Sequence, residues 1–493
     1  MIIPKQVQFV LQNLQKAGFE AYIVGGCVRD FLMQKNQAAS AKSSGAPRDW
    51  DITTSAKPEE IQKIFPESFY ENKFLTVTVK VEDVQIEVTT YRKEANYSDN
   101  RHPDEVRFAK TLEEDVSRRD FTVNAMAIEI PNSKSQITKV VDLFDGQEDL
   151  QNKIIRTVGK AEERFSEDAL RILRAVRFAT TLDFTIEEKT AQAIKKQNAL
   201  IKNISQERIR DEFIKIIMSP RAHEGIEMLR GFGLLEYILP ELLENYGVTQ
   251  NKHHIYDCYQ HALKALEYSA TKNFSLEVRL ASLFHDIGKP RSKSGNGDSA
   301  TFYNHEMIGA KMVYGILKRL CFSNKEIQKI VALVRYHMFY YNVDEVTESS
   351  VRRLIRNIGP ENVDELLQLR EADRIGSGVP KAEPYKLRHL KYIIDKVSQD
   401  PISVGMLKVN GKDVMDALKI QPGPRIGQML DILLGIVLDD PKKNTKELLL
   451  EELKNLNALP ESQLQALAEK SKEDKFEVQA QEDKKIKNKY WVK

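Results

Sequence analysis

The chain has 493 residues, 41% of them hydrophobic, so it is long enough to bury several cores and is expected to form about three domains. Its 74 basic and 72 acidic side chains leave a formal net charge of +2, which excludes a histone-like polycation and an acidic disordered chain. Three separated cysteines without a CxxC pair predict neither a disulfide framework nor a thiolate zinc site. The N-terminus lacks a signal-peptide pattern and no apolar run approaches the ~20 residues of a membrane span, so we expect a soluble cytoplasmic protein.

The first 150 residues carry the pattern of a mixed α+β unit. Apolar residues at helical spacing over residues 7–14 predict a helix, and Gly18 is placed to end it. Residues 21–24 predict a short buried strand, stopped by Gly25 and Gly26, with a helix starting near residue 28. Residues 34–48 are small and polar and predict a loop. Alternating residues over 76–81 and 84–89 predict a hairpin.

Beyond residue 149 the pattern becomes helical and strand signals almost vanish. Helix-period spacing appears over residues 167–179, 207–217, 262–268 and 326–334. The segment after residue 461 is charged and low in large apolar residues, which predicts a solvated helix with a frayed end. The predicted fold class is therefore α+β, with a small mixed sheet and its helices at the N-terminus and all-α domains after it.

The Gly25-Gly26 turn is a candidate anion site. It follows a predicted strand and opens a predicted helix, so backbone N–H groups and a helix N-terminus can face an anion. Arg29 lies one turn into that helix, where its guanidinium could bind phosphate oxygens with two hydrogen bonds. The alternative is a turn with a structural role only, because many double-glycine turns bind no ligand.

Asp49-Trp50-Asp51 is a stronger signal. On an extended backbone, residues two apart project to the same side, so both carboxylates face one space. Two such carboxylates repel each other unless a cation lies between them, and oxygen ligands of this kind suit Mg²⁺. Glu87, on the second predicted hairpin strand, could supply a third carboxylate. The alternative is an ordinary surface pair of acids.

Several ordered motifs together carry a family resemblance. They are GGCVRD at 25–30, RDWDITTSAKPEEI at 48–61, RRDFTVNAMA at 118–127, FDGQEDL at 144–150 and EDALRILRAVRF at 167–178. Over residues ~20–240 the chain resembles the class II tRNA nucleotidyltransferase/poly(A) polymerase family. The resemblance implies catalytic metals on Asp49 and Asp51. It also implies a nucleotide site formed by Gly25, Gly26, Arg29, Arg119, Asp168, Arg171, Arg174 and Arg177.

The resemblance implies addition of nucleotides to an RNA 3′-hydroxyl, with Mg²⁺ bridging the triphosphate and the attacking oxygen. Asp168 accepts hydrogen bonds and Arg171 donates them, and their i, i+3 spacing predicts one helix face. That pair would match the amino group and ring nitrogen of cytosine and adenine, and it would reject uracil and guanine without a template. An ordinary ion pair on a helix is the alternative.

Two further segments bear on the family match. Residues 91–108, which include Asp99, Arg101 and Pro103, have no clear periodicity. In the family a flexible loop here assists the switch from adding C to adding A, which favours full C-C-A addition. The 34–48 loop is longer than the family usually has, so we expect a surface insertion.

A second group of ligand-type residues lies beyond the matched region, although the chain has only nine histidines. An apolar segment ends in His285-Asp286 and then breaks at glycine and proline, which favours a buried metal over a solvated face. The set resembles the HD phosphohydrolase superfamily, with His305 and His337 where two-metal members carry extra ligands. It comprises His261, His285, Asp286, His305, His337 and Asp373. Isolated core or surface histidines are the alternative.

The resulting hypothesis is a CCA tRNA nucleotidyltransferase of the bacterial type that carries an HD domain. Its partners would be tRNA, CTP and ATP, its cofactors Mg²⁺ and a second divalent ion (Ni, Mn, Fe or Mg), and its state a monomer or homodimer without a membrane partner. The alternatives are an A-adding enzyme or poly(A) polymerase, and an HD phosphohydrolase whose head only binds RNA. The predicted domains are a catalytic head at 1–150, a helical neck and body at 151–245, an HD domain at 246–380 and a helical tail region at 381–493.

Overall fold

The computed structural model describes residues 3–37, 50–71, 76–95, 105–130, 139–250, 255–295, 299–343, 345–398 and 404–492. Asp49, the loop residues Asp99, Arg101 and Pro103, and most of the predicted 34–48 insertion lie outside these ranges. The chain divides into two compact units, Met1–His337 with Glu365–Pro380, and Met338–Asp364 with Lys381–Lys493. Within the described ranges, none of the helices has the length and apolar character needed to cross a bilayer.

The first unit begins with a seven-stranded sheet in the order β3-β4-β5-β2-β1-β8-β9. Its strands are β1 Ala21–Val24, β2 Asp51–Thr54, β3 Ser68–Glu71, β4 Thr76–Val81, β5 Val84–Thr90, β8 Ala127–Glu129 and β9 Lys139–Val141. The predicted strand 21–24 and the predicted hairpin β4–β5 are both confirmed. β2 and β5 pair in parallel, whereas the other neighbouring strands of this sheet pair antiparallel.

Helices pack around this sheet because each presents one apolar stripe. In the first of them Val7, Val10, Leu11 and Leu14 are buried, as predicted. The chain leaves that helix through Gly18, whose φ of +90° is a conformation that glycine adopts without strain. The helices here are α1 Lys5–Lys16, α2 Gly26–Gln37, α3 Pro58–Ile64, α4 Leu112–Ser117 and α5 Gly146–Asn152.

Two local elements differ from the sequence expectation. The flanks of the aperiodic segment 91–108 pair as an antiparallel hairpin of β6 Arg92–Ala95 and β7 Glu105–Phe108. The two strands mix charged and apolar residues without the alternation that predicts a strand, so only their backbone pairing in the structure identifies them. Two short parallel strands, β10 Ile154–Ile155 and β11 Thr185–Ile186, also interrupt the region expected to be all-α.

Helices make up most of the rest of the first unit. In chain order they are α6 Ala161–Glu167, α7 Leu170–Leu182, α8 Glu188–Gln197, α9 Gln206–Ile217, α10 Ala222–Gly231, α11 Leu235–Ile238, α12 Pro240–Leu243, α13 Cys258–Thr271, α14 Leu276–Phe284, α15 Lys289–Ser292, α16 His305–Arg319 and α17 Asn324–Tyr336. α19, Val363–Gly376, returns to this unit from residue 365 onward. The predicted helical segments 207–217, 262–268 and 326–334 lie in α9, α13 and α17.

The second unit is helical throughout its described residues. Its helices are α18 Glu348–Ile358, α20 Tyr385–Ser398, α21 Gly411–Leu418, α22 Pro424–Asp439, α23 Lys446–Asn457 and α24 Glu461–Tyr490. Its core contains Val414, Met429, Leu433, Leu453 and Leu464, which are almost fully buried. The α+β fold class, with a sheet-containing head followed by helical domains, is confirmed.

Candidate active site and metal centre

Asp51 and Glu87 are direct neighbours across two strands. Asp51 opens β2, and its register partner on the parallel strand β5 is Glu87. Register partners on adjacent strands lie about 5 Å apart and project to the same face. Trp50, one residue before, is only 8% exposed and turned into the core. Two carboxylates this close repel each other, so the pair fits a divalent cation with oxygen ligands such as Mg²⁺.

The Gly25 turn lies directly under this carboxylate. Gly25 joins β1 to α2 with φ of +86°, a conformation that disfavours side chains. A Cβ built there would lie 3.3 Å from Asp51 Oδ2 and 3.2 Å from Arg119 Nη1. Because glycine has no side chain, Arg119 and Asp51 can approach the backbone at the start of α2.

A cavity of about 490 Å³ opens above the turn, and we call it the first cavity. Four arginines from three parts of the chain line it, which makes its wall strongly cationic. Its lining residues are Gly25, Gly26, Cys27, Arg29, Asp30, Asp51, Arg119, Asp120, Asn124, Arg174, Arg177 and Phe178. Seven of the residues predicted for catalysis or nucleotide binding are thus brought together here, namely Gly25, Gly26, Arg29, Asp51, Arg119, Arg174 and Arg177.

Phe178 organises three of these arginines around one ring. The guanidinium carbon of Arg177 lies 3.7 Å from the ring centroid, that of Arg29 5.2 Å and that of Arg174 5.3 Å. Such cation–π contacts each contribute about 0.5–2 kcal/mol. Arg29 also donates from Nη1 to Asn124 Oδ1 at 2.8 Å, which fixes its position. The arginines are therefore held in place before any ligand binds.

Acidic side chains behind the cavity compensate part of this charge. Burial alone would raise the pKa of Asp120, but Arg174, which donates from Nε at 2.7 Å, outweighs it and holds that pKa at about 2. Arg177 pairs with Glu212 at 2.7 Å. Burial lowers the pKa of Arg119 and of Arg177 from the usual arginine value, yet both stay cationic at neutral pH. The site is preorganised for an anion with several charges.

The expectation that Asp168 and Arg171 share one helix face is wrong. Asp168 has extended backbone dihedrals between α6 and α7, because its Oδ1 accepts the backbone N–H of Leu170 at 3.1 Å and starts a new helix. Its Oδ2 accepts from Arg208 at 2.9 Å. Arg171 donates to Glu167 at 2.6 Å and to the backbone carbonyl of Arg118 at 2.8 Å. Neither residue is among those that line the first cavity.

The six predicted ligand residues of the second group do come together. Asp286 lies at the centre, with Oδ2 3.1 Å from His261 Nε2 and 3.3 Å from His285 Nε2. Its other oxygen, Oδ1, is 3.3 Å from His305 Nε2 and 3.7 Å from His337 Nε2. One carboxylate thus faces two pairs of histidines through its two oxygens.

Asp373, on α19, is a second carboxylate beside His261 and His285. Its Oδ1 lies 3.4 Å from His261 Nε2 and 3.6 Å from His285 Nε2. Burial alone would raise the pKa of Asp373, but the neighbouring His261 and His285, with Arg370 beside its other oxygen, hold that pKa well below its usual range. The same holds for Asp286, where Lys289 Nζ lies 2.6 Å from Oδ2. Both carboxylates are therefore ionised and able to act as ligands.

In three of the histidines, the contact that Nδ1 makes shows which ring nitrogen carries the proton and which one faces the centre of the cluster with a lone pair. Nδ1 of His285 lies 2.9 Å from the carbonyl oxygen of Ser282. Nδ1 of His305 lies 2.7 Å from the carbonyl oxygen of Phe302, and Nδ1 of His337 lies 2.7 Å from that of Val334. A carbonyl only accepts, so each Nδ1 carries the proton and each Nε2 of a neutral ring points a lone pair inward.

The inner nitrogens also face one another at short range. The Nε2 atoms of His305 and His337, which both point lone pairs inward when the rings are neutral, are 3.4 Å apart, and a cation between them would relieve their repulsion. The Nε2 atoms of His261 and His285 are 2.8 Å apart, a distance that a shared proton or a metal ion would bridge. The donor set of imidazoles and carboxylates fits transition metals better than Mg²⁺, and Asp286 belongs to both of the groups that could hold an ion.

Sequence reasoning missed several residues that build these sites. Asp120 and Asn124 lie inside the RRDFTVNAMA motif, and Phe178 closes EDALRILRAVRF, so the motifs themselves held the signal. Glu212, a buried acid that pairs with Arg177, carries no local signal because only the fold brings the two together. Asp115, also buried, lies three residues before its partner Arg118, which is the spacing of a helical ion pair.

Comparisons with known proteins agree with this geometry. Three family profiles match, described as "Poly A polymerase head domain" over residues 21–156, "Probable RNA and SrmB- binding site of polymerase A" over residues 183–245, and "tRNA nucleotidyltransferase domain 2" over residues 302–453. The crystal structure of the Bacillus stearothermophilus CCA-adding enzyme in complex with CTP is similar, with a TM-score of 0.58 and 27% identity over 92% of this chain and 98% of that one.

Two curated relatives extend the comparison. The CCA-adding enzyme of Lactobacillus helveticus is 48% identical over 247 residues, which span 49% of this chain and 58% of that protein. The CCA-adding enzyme of Enterococcus faecalis is 34% identical over 455 residues, which span 90% of this chain and 94% of that protein. The chain therefore belongs to the CCA-adding enzyme family and is a nucleotidyltransferase.

Proposed function

We propose that this chain builds and repairs the 3′-terminal CCA of tRNA from CTP and ATP, without a nucleic-acid template and with release of pyrophosphate. The observation that carries the proposal is Asp51, which has Glu87 as its register partner and lies in the wall of a cavity lined by four arginines. Phosphoryl transfer requires carboxylates that hold a metal ion and a cationic pocket that holds the phosphates. Positioning and charge supply most of the catalysis in such reactions.

Each group of residues then has a role in the reaction. Arg29, Arg174 and Arg177 bind the triphosphate, and the Gly25 turn brings backbone N–H groups near it. Asp51 and Glu87, with Asp49, would hold Mg²⁺. When bound, the metal lowers the pKa of the attacking hydroxyl and offsets charge on the pyrophosphate. The family generally uses a divalent metal, and the assignment of Mg²⁺ and of these ligands is part of the proposal.

Base selection by Asp168 and Arg171 stays a prediction. Arg171 already donates to Glu167 and to a backbone carbonyl, and Asp168 already accepts from Arg208. Reading a base edge would require these side chains to exchange partners when the nucleotide binds. Because Asp168 sits at a break between two helices, its backbone is not locked into a continuous helix.

The test is addition of labelled nucleotides to truncated tRNAs. With a tRNA that ends at its discriminator base, we expect incorporation of two C residues from CTP alone and of a final A once ATP is present. With a tRNA that ends in CC, ATP alone should suffice. Incorporation of A without any C would identify an A-adding enzyme or a poly(A) polymerase instead, and no incorporation at all would contradict the proposal.

A second activity is supported by the six-residue metal cluster. We propose that residues 246–380 form an HD domain that hydrolyses a phosphomonoester or phosphodiester, for example a 2′,3′-cyclic phosphate on damaged RNA. The support is the geometry of Asp286, shared by His261, His285, His305 and His337. Residues 1–150, 151–245 and 381–493 would be the head, the neck and body, and the tail.

Metal content tests the sharing of Asp286. Wild-type protein loaded with Mn²⁺ or Ni²⁺ is expected to hold two ions per chain by elemental analysis. His337→Gln should lose one of the two, because it removes a ligand beside Oδ1 only, whereas Asp286→Ala should lose both. Nucleotide addition in each variant controls for folding. Retention of both ions by Asp286→Ala would contradict a shared carboxylate.

The remaining partners follow from the proposed reaction. An enzyme that serves all tRNAs must bind the acceptor stem through phosphates and shape, so we propose backbone-led binding whose affinity falls with salt. We propose that the chain acts in the cytoplasm, as a monomer or a homodimer.

A further inference from the structure

Solvent reaches the six-residue cluster around Asp286 mainly beside one of its members. The side chain of Asp373 is 13% exposed, whereas those of the other five cluster residues are at most 7% exposed. Asp373 lies on α19, and its Oδ1 faces His261 and His285. A substrate that reaches the cluster therefore approaches along the face of α19 that carries Asp373.

Two arginines flank Asp373 on this face, and we call the three residues the open edge of the cluster. Arg370 and Arg374 lie at i and i+4 with Asp373 at i+3, positions that are neighbours on a helix surface. Arg370 Nη1 donates at 2.8 Å to Oδ2 of Asp373, the opposite oxygen from the one that faces the histidines. Burial lowers the pKa of Arg374, the nearby Arg370 lowers it further, and Asp373 opposes both effects. Both arginines are cationic at neutral pH.

Two further charged side chains near the cluster are held by other partners. Lys289 is 7% exposed, and its Nζ lies 2.6 Å from Asp286 Oδ2 and donates to Gln250 Oε1 at 2.6 Å. It therefore compensates charge inside the cluster. Glu371, an acid of α19, accepts a hydrogen bond from the Tyr268 hydroxyl at 3.4 Å. The charge at the open edge is therefore positive.

Arginines at this place fit a second phosphate of the substrate. The phosphate to be cleaved is expected at the ligand atoms of the cluster, and the width of one carboxylate separates them from the guanidinium of Arg370. A guanidinium binds phosphate oxygens with two parallel hydrogen bonds, and contacts of this kind hold a nucleic-acid backbone without reading its bases. The end of an RNA strand presents a phosphodiester next to its terminal phosphate, whereas a nucleoside monophosphate has no second phosphate.

We propose that Arg370 and Arg374 bind the phosphodiester that precedes the terminal phosphate to be cleaved, so that the substrate of the cluster is the end of an RNA strand and not a mononucleotide. The inference rests on the hydrolysis proposed above. With a terminal 2′,3′-cyclic phosphate, a water oxygen forms a bond to the phosphorus, the bond to one ribose oxygen breaks, and that oxygen takes up a proton from the water. The two arginines determine specificity and take no part in these bond changes.

Hydrolysis of two probes tests the preference. Adenosine 2′,3′-cyclic phosphate has one phosphate, whereas the dinucleotide ApA with a terminal 2′,3′-cyclic phosphate has a phosphodiester beside it. Wild-type protein loaded with Mn²⁺ is expected to cleave the dinucleotide with a kcat/KM about tenfold higher or more, the size of a charge-assisted hydrogen bond. Arg370→Gln should bring this ratio close to one. Arg335→Gln should keep the wild-type ratio, because the ion pair of Arg335 is with Glu306, outside the cluster.

Equilibrium binding gives a second readout that does not depend on turnover. The loaded wild type should bind ApA with a terminal 2′-phosphate about tenfold more tightly than adenosine 2′-phosphate, and Arg370→Gln should lose that difference. A displaced Asp373 would weaken both ligands alike, so the ratio isolates the contact to the second phosphate.

The two ratios also distinguish failure of the inference from failure of the proposed hydrolysis. Equal cleavage and equal binding of the two kinds of probe by the wild type, or ratios that Arg370→Gln leaves unchanged, would overturn the inference. Cleavage of neither probe by the wild type would contradict the proposed hydrolysis, and the binding ratio would still decide whether the open edge recognises a second phosphate.

Discussion

Asp51→Asn is expected to lower the rate constant of nucleotide addition by about 10³-fold or more while the fold stays intact. The substitution keeps the size of the side chain and removes the charge that holds a cation against Glu87. Metal-ion stabilisation of phosphoryl transfer is worth several kcal/mol, and each 1.36 kcal/mol is a factor of ten in rate. Single-turnover addition of labelled C to a truncated tRNA measures the loss.

Two controls separate loss of chemistry from loss of structure. Thermal unfolding of Asp51→Asn should match the wild type or exceed it, because a close pair of like charges is relieved. The proposed hydrolysis at the six-residue cluster should be unaffected, since the residues of that cluster come from other elements of the chain. A variant that kept more than a tenth of wild-type addition would contradict the catalytic role of Asp51.

Arg279→Met is expected to destabilise the first unit by about 3–5 kcal/mol, because several buried carbonyl acceptors lose their hydrogen-bond donor at a cost of about 1–3 kcal/mol each. Arg279 is 1% exposed, the largest fully buried side chain among the described residues. Its guanidinium donates to the carbonyls of Ile217 and Ser219 at 3.0 Å, and Nε donates to the carbonyl of Phe274 at 3.0 Å. Methionine fills the volume and leaves these acceptors unpaired.

Because of its position, we expect the loss of Arg279 to disturb both the first cavity and the cluster around Asp286. It joins the end of α9, whose Glu212 pairs with Arg177 of the first cavity, to α14, which leads into His285 and Asp286. Denaturant unfolding measures the loss, and Arg335→Met is the matched control because Arg335 makes a partly exposed ion pair with Glu306. A change below about 1 kcal/mol for Arg279→Met, or equal changes for both variants, would contradict the structural role.

The fold was predictable where one periodicity dominates. The strand at 21–24, the hairpin β4–β5 and the helices α9 and α17 follow from alternation or helical spacing in the sequence. The break between α6 and α7 was not predictable that way, because residues 167–179 read as one continuous helix. That continuity ends where Asp168 Oδ1 accepts a hydrogen bond from the backbone N–H of Leu170.

The sites were predictable where the motif itself holds the ligand atoms. Gly25, Arg29 and Asp51, found from local spacing, line one cavity, and His261, His285, His305, His337 and Asp373 converge on Asp286, while their roles stay predictions. Glu212 required the fold, since its partner Arg177 lies on a separate helix. Long-range pairing of this kind leaves no pattern in a single sequence.

The most direct test of the central claim is a crystal of the protein with Mn²⁺ and a non-hydrolysable CTP analogue. Anomalous scattering should place an ion in contact with Asp51, beside Glu87 and within bonding distance of a phosphate oxygen of the nucleotide in the first cavity. A nucleotide bound elsewhere, or a cavity that holds the nucleotide with no ion at Asp51, would contradict the claim that these carboxylates bind the catalytic metal.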